Sequence, residues 1–99
     1  MTAYMITYLD VTDQEAFDAY RKAAIPSLEP YRVSSLVVDG RFEVLEGMVR
    51  PKSIVILEFE SMEHAKQWYE SSEYAPAIPM RQQAAESSVI LVEGVSDTA

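Results

Sequence analysis

The sequence predicts an α+β fold in which an antiparallel sheet carries its helices on one face only. Strand-like apolar runs occur near the start, in the middle and near the end of the chain, at Ala3–Leu9, Ser53–Phe59 and Ser88–Val92. Each run has apolar residues on both parities, which is typical of strands buried on both faces. Segments with the spacing of amphipathic helices separate the runs. Such a small number of helices covers one face of the sheet, so the other face should meet a second copy of the chain or enclose a small apolar ligand.

The first helix is expected to begin at Thr12, because Thr12-Asp-Gln-Glu15 matches a capping box. Pro26 is expected to end or kink this helix near Ile25, since proline lacks an amide hydrogen and its ring clashes with the preceding turn. The apolar face consists of residues spaced three and four apart: Phe17, Tyr20, Ala24 and Leu28.

A β-hairpin is predicted next. Its strands should span residues 33–38 and 41–45, and the pair Asp39-Gly40 should form the turn. An Asp-Gly pair between two β-rich runs is a strong hairpin signal. The central strand, Ser53–Phe59, is expected to follow after a loop.

Two further helices are predicted before the last strand. Ser61 is expected to cap a helix that ends around Ser71 and has one apolar face, made of Met62, Ala65, Trp68 and Tyr69. The third helix should run from Tyr74 to near Glu86, with Pro76 in its first turn.

The last strand is expected over residues 89–93, and residues 96–99 are expected to form a frayed tail. Residues 1–95 then form a single domain with the order strand, helix, two hairpin strands, strand, helices, strand. This order is typical of a ferredoxin-like α+β sandwich. Two such sheets facing each other through their uncovered sides would close a dimeric α/β barrel, so a homodimer is expected.

The composition argues against several classes of partner. Sixteen acidic and eight basic residues give a net charge of −8, which repels nucleic acid and anionic membrane surfaces. The chain has no cysteine, which excludes disulfides and thiolate chemistry. It shows neither a signal-peptide pattern nor the roughly 20 apolar residues of a membrane span. A cytoplasmic protein is expected.

Arg81 is the first candidate for a ligand-binding residue. Helical spacing from Ile78 directs it toward the sheet, where its guanidinium could grip a carboxylate or enolate oxygen bidentately. The alternative is a structural ion pair with an acidic residue, for which the candidates are Glu58, Glu73 and Glu86.

An aromatic group on the helices supplies the other candidates. Tyr20, Trp68, Tyr69 and Tyr74 could wall a cavity, and the tyrosine hydroxyls could orient a small ligand. Aromatic residues at helical spacing are also typical of an ordinary core, and both interpretations stay open.

No cofactor or metal is expected. The single histidine, His64, has no neighbouring group to orient it as a base or to complete a metal site, so a solvated surface position is expected. The three glycines form no phosphate-binding loop, and the chain lacks the Gly-x-Ser-x-Gly motif of α/β-hydrolases.

Several segments resemble the family DUF1330. They include Leu57-Glu-Phe59, the run Trp68-Tyr-Glu-Ser-Ser-Glu-Tyr74 with the downstream Arg81, and Val92-Glu-Gly94. The resemblance spans nearly the whole chain. It implies a dimeric α+β barrel, a fold shared with cofactor-free monooxygenases of antibiotic biosynthesis and with isomerase-like and binding proteins. It implies no particular reaction.

One stretch departs from the family pattern. Where family members usually carry Tyr-Gly-Gly-Arg and then an aliphatic strand ending in Arg-Gly-Gly, this chain reads Tyr31-Arg-Val-Ser-Ser-Leu-Val-Val-Asp-Gly40. The glycine pair and both arginines are absent from their expected places. A family ligand that depended on those arginines would lack these contacts here.

Two functions follow from these observations. The first is a non-catalytic dimer that either binds a small organic ligand, which could be anionic, or serves as a scaffold. The second is a cofactor-free enzyme, monooxygenase- or isomerase-like, that acts on a small enolisable or anionic molecule. In the enzyme, Arg81 would be an electrostatic clamp, and Tyr20, Tyr69 or Tyr74 would orient the substrate. The sequence shows no activated nucleophile or supported general base, which favours binding.

Overall fold

The computed structural model describes residues 1–95 of the 99-residue chain. The strands are β1 (Ala3–Val11), β2 (Ser34–Val38), β3 (Ser53–Phe59) and β4 (Ala85–Glu93). The helices are α1 (Gln14–Leu28), α2 (Met62–Tyr69) and α3 (Ile78–Ala84), with short 3₁₀ turns at Glu29–Tyr31 and Ala75–Ala77. The predicted frayed tail, residues 96–99, lies outside the described residues.

The four strands form one antiparallel sheet with the order β2-β3-β1-β4. Helix α1 connects β1 to β2, and α2 and α3 connect β3 to β4. These helices pack on one face of the sheet, where the core residues Met5, Phe59 and Trp68 are buried. The predicted α+β, ferredoxin-like class with helices on one face is therefore confirmed. None of the described helices is long and apolar enough to cross a membrane.

The register of β1 decides which of its parities faces the helices. Ala3, Met5 and Leu9 are each at most 4% exposed and belong to the core under the helices. The alternate residues point to the other face, and at its centre Ile6 lies opposite Ile56 of β3 and Ile90 of β4. Ile90 remains 48% exposed. Within the described residues, the chain therefore leaves one apolar face of its sheet uncovered.

The predicted capping box at Thr12 is wrong. Helix α1 begins at Gln14, and its N-cap is Asp13, whose carboxylate accepts a hydrogen bond from the Ala16 amide at 3.1 Å. Thr12 instead donates through its amide (2.9 Å) and its hydroxyl (3.2 Å) to the carbonyl of Ala84. That contact ties the end of β1 to the end of α3, so Thr12 is not free to cap α1.

Pro26 does not end α1 near Ile25, one of the two outcomes predicted for it, because the helix continues to Leu28. Pro26 lies in the last turn with its ring exposed, so only one intrahelical hydrogen bond is lost there. The next residue, Ser27, is buried and accepts a hydrogen bond from the indole nitrogen of Trp68 at 3.0 Å. This tertiary contact holds the turn that the proline weakens.

The second strand of the predicted hairpin, residues 41–45, is wrong as well. Strand β2 pairs with β3 instead, and the chain between them, which we call the 39–52 loop, is irregular. Strand β3 is apolar on both faces, whereas residues 41–44 alternate charged and apolar side chains and could bury only one face. Asp39 ends β2 with a positive φ of 55°, which aspartate tolerates.

The third helix and the last strand begin and end at residues other than those predicted. Residues Ala75–Ala77 form a 3₁₀ turn, α3 ends at Ala84, and β4 begins at Ala85 rather than at Val89. Strand β1 extends to Val11, which gives Ala85 a pairing partner. The hydrogen bonds available along β1 therefore draw residues 85–88 into the sheet.

Candidate ligand-binding site

A cavity of about 260 Å³ lies between the helices and the covered face of the sheet. Most of its wall is apolar and comes from α1 and from all four strands: Met5, Leu9, Phe17, Ala24, Ile25, Leu28, Val38, Val55, Leu57 and Val89. Trp68 adds an aromatic surface. Among the polar groups of the wall, Tyr20 is partly exposed, and Tyr74 and Arg81 are buried. An apolar chamber with a few converging polar groups is the usual form of a small-molecule site.

The mouth of the cavity is polar. Arg21 on α1, Ser35 on β2 and Asp39 at the end of β2 border the cavity and are exposed to solvent. Asp39 accepts a hydrogen bond from the hydroxyl of Ser53, the first residue of β3. These side chains place the opening between α1 and the edge strand of the sheet.

Trp68 and Tyr74 form a stacked pair that fixes one wall. Their ring centroids are 3.9 Å apart and their planes differ by 27°. Ser71 connects the two residues, because its hydroxyl donates to the carbonyl of Trp68 at 2.7 Å and accepts from the Tyr74 amide at 3.1 Å. The short link after α2 therefore delivers the Tyr74 ring against the indole and leaves little rotational freedom.

Arg81 is 4% exposed, and its hydrogen bonds within the described residues go to hydroxyl groups. Its Nη1 donates to the hydroxyl of Tyr74 at 2.7 Å, and its Nε donates to Ser87 at 3.3 Å. The ion pairs considered from sequence with Glu58, Glu73 or Glu86 are not formed. A guanidinium buried among neutral oxygens keeps most of its positive charge available to whatever enters the cavity.

Tyr74 stays neutral and Arg81 stays charged in this buried site. Burial raises the pKa of Tyr74 well above the ordinary tyrosine range, so its hydroxyl stays neutral. Burial lowers the pKa of Arg81, but the oxygen of Tyr74 and the hydroxyls of Tyr69 and Tyr20 outweigh that effect and raise it, so the guanidinium stays charged. The site thus presents a cation and neutral hydroxyls rather than a base.

Tyr20 completes a chain of three polar side chains, which we call the Arg81–Tyr74–Tyr20 chain. The hydroxyl oxygens of Tyr20 and Tyr74 are 2.8 Å apart. Tyr20 comes from α1, where Phe17 packs against its ring at a centroid distance of 5.4 Å. The chain leads from the buried guanidinium to a partly exposed tyrosine at the cavity wall.

Of the residues predicted from sequence, the structure brings Arg81, Tyr20, Tyr74 and Trp68 to the cavity. Tyr69 lies behind Trp68 and Tyr74, with its ring centroid 6.4 Å from the indole and 5.8 Å from the Tyr74 ring, and it does not border the cavity.

Other polar residues at the site were not foreseen. Thr7 is one of them, and it shares the covered face of β1 with Met5 and Leu9. Ser87 is another, because its hydroxyl accepts a hydrogen bond from Arg81. The sequence indicates this contact only if β4 is predicted to begin before Ser87.

His64 is half-buried rather than solvated, and its Nε2 lies 2.8 Å from the carbonyl oxygen of Tyr31. It does not border the cavity. In residues 1–95, no group of three or more His, Cys, Asp or Glu side chains is arranged to hold a metal ion.

The chain matches one protein family and is similar to several solved structures. The family described as Domain of unknown function (DUF1330) matches residues 2–95. No curated protein shows significant sequence similarity. A protein of unknown function from Rhodopseudomonas palustris has a similar structure, with a TM-score of 0.76 and 21% identity over 96% of this chain and 83% of its own.

Two more distant structures share the fold. SnoaB, a cofactor-independent oxygenase from Streptomyces nogalater, gives a TM-score of 0.64 at 9% identity over 96% of this chain and 94% of its own. A dimeric protein of unknown function with a ferredoxin-like fold from Bacteroides fragilis gives 0.61 at 11% identity over 94% and 96%. At such low identity these likenesses concern the fold alone.

Proposed function

The chain belongs to DUF1330, a family of unknown function, and we propose that it binds a small organic molecule carrying an electron-rich or anionic oxygen, without catalysis. The observation that carries the proposal is Arg81, a buried cation that makes its hydrogen bonds to neutral hydroxyls beside an otherwise apolar cavity. A buried charge is costly unless a counter-charge or strong hydrogen bonds compensate it. An anionic ligand would supply that compensation.

The size and wall of the cavity support a compact ligand. Its volume of about 260 Å³ lies just below the usual range for small-molecule sites, which is roughly 300–1,000 Å³. The apolar wall favours a hydrocarbon or aromatic body, and the Arg81–Tyr74–Tyr20 chain favours an oxygen at one end. Ligand binding by Arg81, Tyr20, Tyr74 and Trp68 is part of this proposal.

Binding is favoured over catalysis because no suitable base borders the cavity within the described residues. Tyr74 is held neutral, Arg81 is held charged, and the carboxylate of Asp39 is exposed at the mouth and bound by Ser53. A general base must reach the proton that it removes and must be unprotonated at working pH.

A cofactor-free enzyme is the second candidate. The likeness in fold to SnoaB favours it, and so does a buried cation that could stabilise an enolate oxygen. Buffer-exchanged protein would be incubated with a small enolisable ketone in deuterium oxide, and α-proton exchange followed by NMR. Separate reactions with a small hydroquinone would be followed by oxygen uptake. Protein-dependent turnover in either reaction would replace the binding proposal with the enzyme.

The uncovered sheet face supports a homodimer as part of the proposal. Its centre consists of Ile6, Ile56 and Ile90, and Ile90 and Val92 are 48% and 44% exposed in the single chain. A second copy offers the same apolar surface, so a symmetric contact would bury both. The similar protein from Bacteroides fragilis is described as dimeric.

Native mass spectrometry tests assembly and binding in one spectrum. We expect a dimer that carries a reproducible small-molecule mass. A monomer at micromolar concentration would contradict the dimer.

Binding is then measured by fluorescence, because Trp68 is the only tryptophan and borders the cavity. Benzoate and 4-cyanophenolate serve as probes. Arg81→Met should weaken the binding of the better probe by at least tenfold, whereas Arg21→Met, which removes an exposed arginine from the mouth, should change it less than about threefold. No saturable response from any probe and no carried mass would overturn the proposed function.

A further inference from the structure

We infer that the Arg81–Tyr74–Tyr20 chain has a fixed direction and ends in a hydroxyl donor at the cavity, which selects a single oxyanion of the phenolate or enolate type. The inference rests on the proposed ligand-binding function and names the ligand class of that site. It depends on which atom donates the hydrogen in each of the two contacts of the chain, which are 2.7 Å and 2.8 Å long.

The direction begins at Arg81. A guanidinium has donors and no acceptor, so the 2.7 Å contact has Arg81 Nη1 donating to the oxygen of Tyr74. Tyr74 is 2% exposed, and its hydroxyl hydrogen therefore needs an acceptor inside the protein. The acceptor within reach is the oxygen of Tyr20, 2.8 Å away.

The reverse arrangement is unfavourable because it would leave a buried hydroxyl hydrogen without an acceptor. If Tyr20 donated to Tyr74, the Tyr74 oxygen would accept twice and its own hydrogen would be buried without a partner. An unsatisfied buried donor destabilises a protein far more than an unsatisfied group at a cavity wall. The free hydrogen therefore falls on Tyr20, which is partly exposed and borders the cavity.

The same contacts set what Tyr20 can bind. The positive charge of Arg81 polarises the Tyr74 hydroxyl, which in turn polarises the hydroxyl of Tyr20. The Tyr20 hydroxyl therefore becomes a stronger hydrogen-bond donor. It offers one hydrogen bond to one oxygen. The bidentate grip of a carboxylate expected from sequence is weakened, because Nε and Nη1 of Arg81 already donate to Ser87 and Tyr74. A ligand with its charge on one oxygen fits better than a carboxylate.

The body of such a ligand fits the remaining wall. Phenolates and enolates are planar and carry an apolar group beside the oxygen. The cavity offers aromatic rings from Phe17 and Trp68, with aliphatic side chains from β1 and β3. Its mouth residues Ser35 and Asp39 lie on β2 and at its end, so the body can extend toward solvent while the oxygen meets Tyr20.

The test uses 4-nitrophenol, whose phenolate and phenol forms differ in colour, and 4-nitroanisole, which has the same ring and no ionisable hydroxyl. We expect the wild-type protein to bind the phenolate at least tenfold more tightly than 4-nitroanisole by calorimetry. The absorbance of the bound probe should show a shift of its ionisation toward the phenolate.

Tyr20→Phe removes the terminal donor from a partly exposed position, and it should weaken phenolate binding roughly ten- to hundredfold while 4-nitroanisole binding stays unchanged. Tyr31→Phe is the matched control, since it removes a hydroxyl from a partly buried tyrosine that does not border the cavity, and it should change phenolate binding less than about threefold. Circular dichroism confirms that each variant is folded.

The outcomes separate this inference from the function on which it rests. Equal binding of phenolate by wild type and Tyr20→Phe would overturn the direction of the chain. Tight binding of 4-nitroanisole or benzoate without a phenolate preference would overturn the ligand class and leave the proposed function standing. Failure of every probe to bind would remove both.

Discussion

Tyr74→Phe is the substitution that most directly tests whether the buried polar chain stabilises the protein. Phenylalanine keeps the ring, so the stack on Trp68 at 3.9 Å should survive. The change removes the oxygen that accepts from Arg81 at 2.7 Å and contacts Tyr20 at 2.8 Å. Any loss of stability then belongs to the hydrogen bonds and not to a cavity in the core.

The magnitude follows from these two contacts. A hydrogen bond to a charged group contributes about 1.5–3 kcal/mol and a neutral one about 0.5–1.5 kcal/mol. Because the two contacts share one oxygen, their contributions do not simply add. We expect Tyr74→Phe to lower the free energy of unfolding by about 2–4 kcal/mol, a large share of the stability of a chain of this size.

The assay is urea denaturation followed by circular dichroism and by the fluorescence of Trp68, at equal protomer concentrations so that assembly does not alter the comparison. Tyr31→Phe, which removes the hydroxyl of a partly buried tyrosine outside the cavity, is the control and should cost less than about 0.5 kcal/mol. If Tyr74→Phe is no more destabilising than this control, the buried chain does not contribute as argued.

Three further predictions address pH, assembly and local structure. Burial raises the pKa of folded Tyr74 above that of unfolded tyrosine, about 10, so its contribution to stability is complete below pH 10 and is lost as pH rises further. Denaturation at pH 8 and 11 should show this loss in wild type and a smaller one in Tyr74→Phe. Ile6→Glu at the centre of the uncovered face should convert the proposed dimer to a folded monomer in light-scattering chromatography, whereas Ala23→Glu on the exposed side of α1 should not. A persistent Ile6→Glu dimer would place the contact elsewhere. Asp13→Ala should lower the free energy of unfolding by about 1 kcal/mol in the same urea denaturation, because the Ala16 amide loses the carboxylate that caps α1. Unchanged stability would show that the cap is dispensable.

The sequence was sufficient for the fold class because its strongest signals were local. The three apolar runs and the helical spacings correspond to β1, β3, β4 and the helices. The orientation of β1 could not be read, because Tyr4 and Met5 are both suited to a buried face. Only the pairing of β1 with its neighbours puts Met5 under the helices.

The errors lie where tertiary contacts outweighed local preference. Residues 41–44 alternate like a strand, yet β2 pairs with the more apolar β3. Thr12 has the side chain of a cap, yet the carbonyl of Ala84 engages it. Pro26 should disrupt a helix, yet the contact between Ser27 and Trp68 holds the last turn. Each competing partner is distant along the chain, so no local pattern reveals it.

At the site, residue type was easier to predict than partnership. The inward direction of Arg81 followed from its spacing on α3, but the choice between a carboxylate and a tyrosine as its partner did not. That choice depends on the fold, which brings the hydroxyl of Tyr74 within 2.7 Å of Arg81 Nη1. The sequence does not separate Tyr69 from Trp68, because both belong to the apolar face predicted for the same helix, although only Trp68 of that pair borders the cavity.

The 39–52 loop is anchored to the sheet at both ends and exposed between them. Its two ends are pinned, since the Asp39 amide donates to Ile54 and the Lys52 amide donates to Leu9, whereas Leu45 and Met48 are each 90% exposed. Lengthening such a loop has a small entropic cost, so insertions or deletions between these anchors should leave the sheet intact. Selection can therefore change the length and sequence of this loop beyond Asp39 without disturbing Arg81, Tyr74 and Tyr20 beneath the helices.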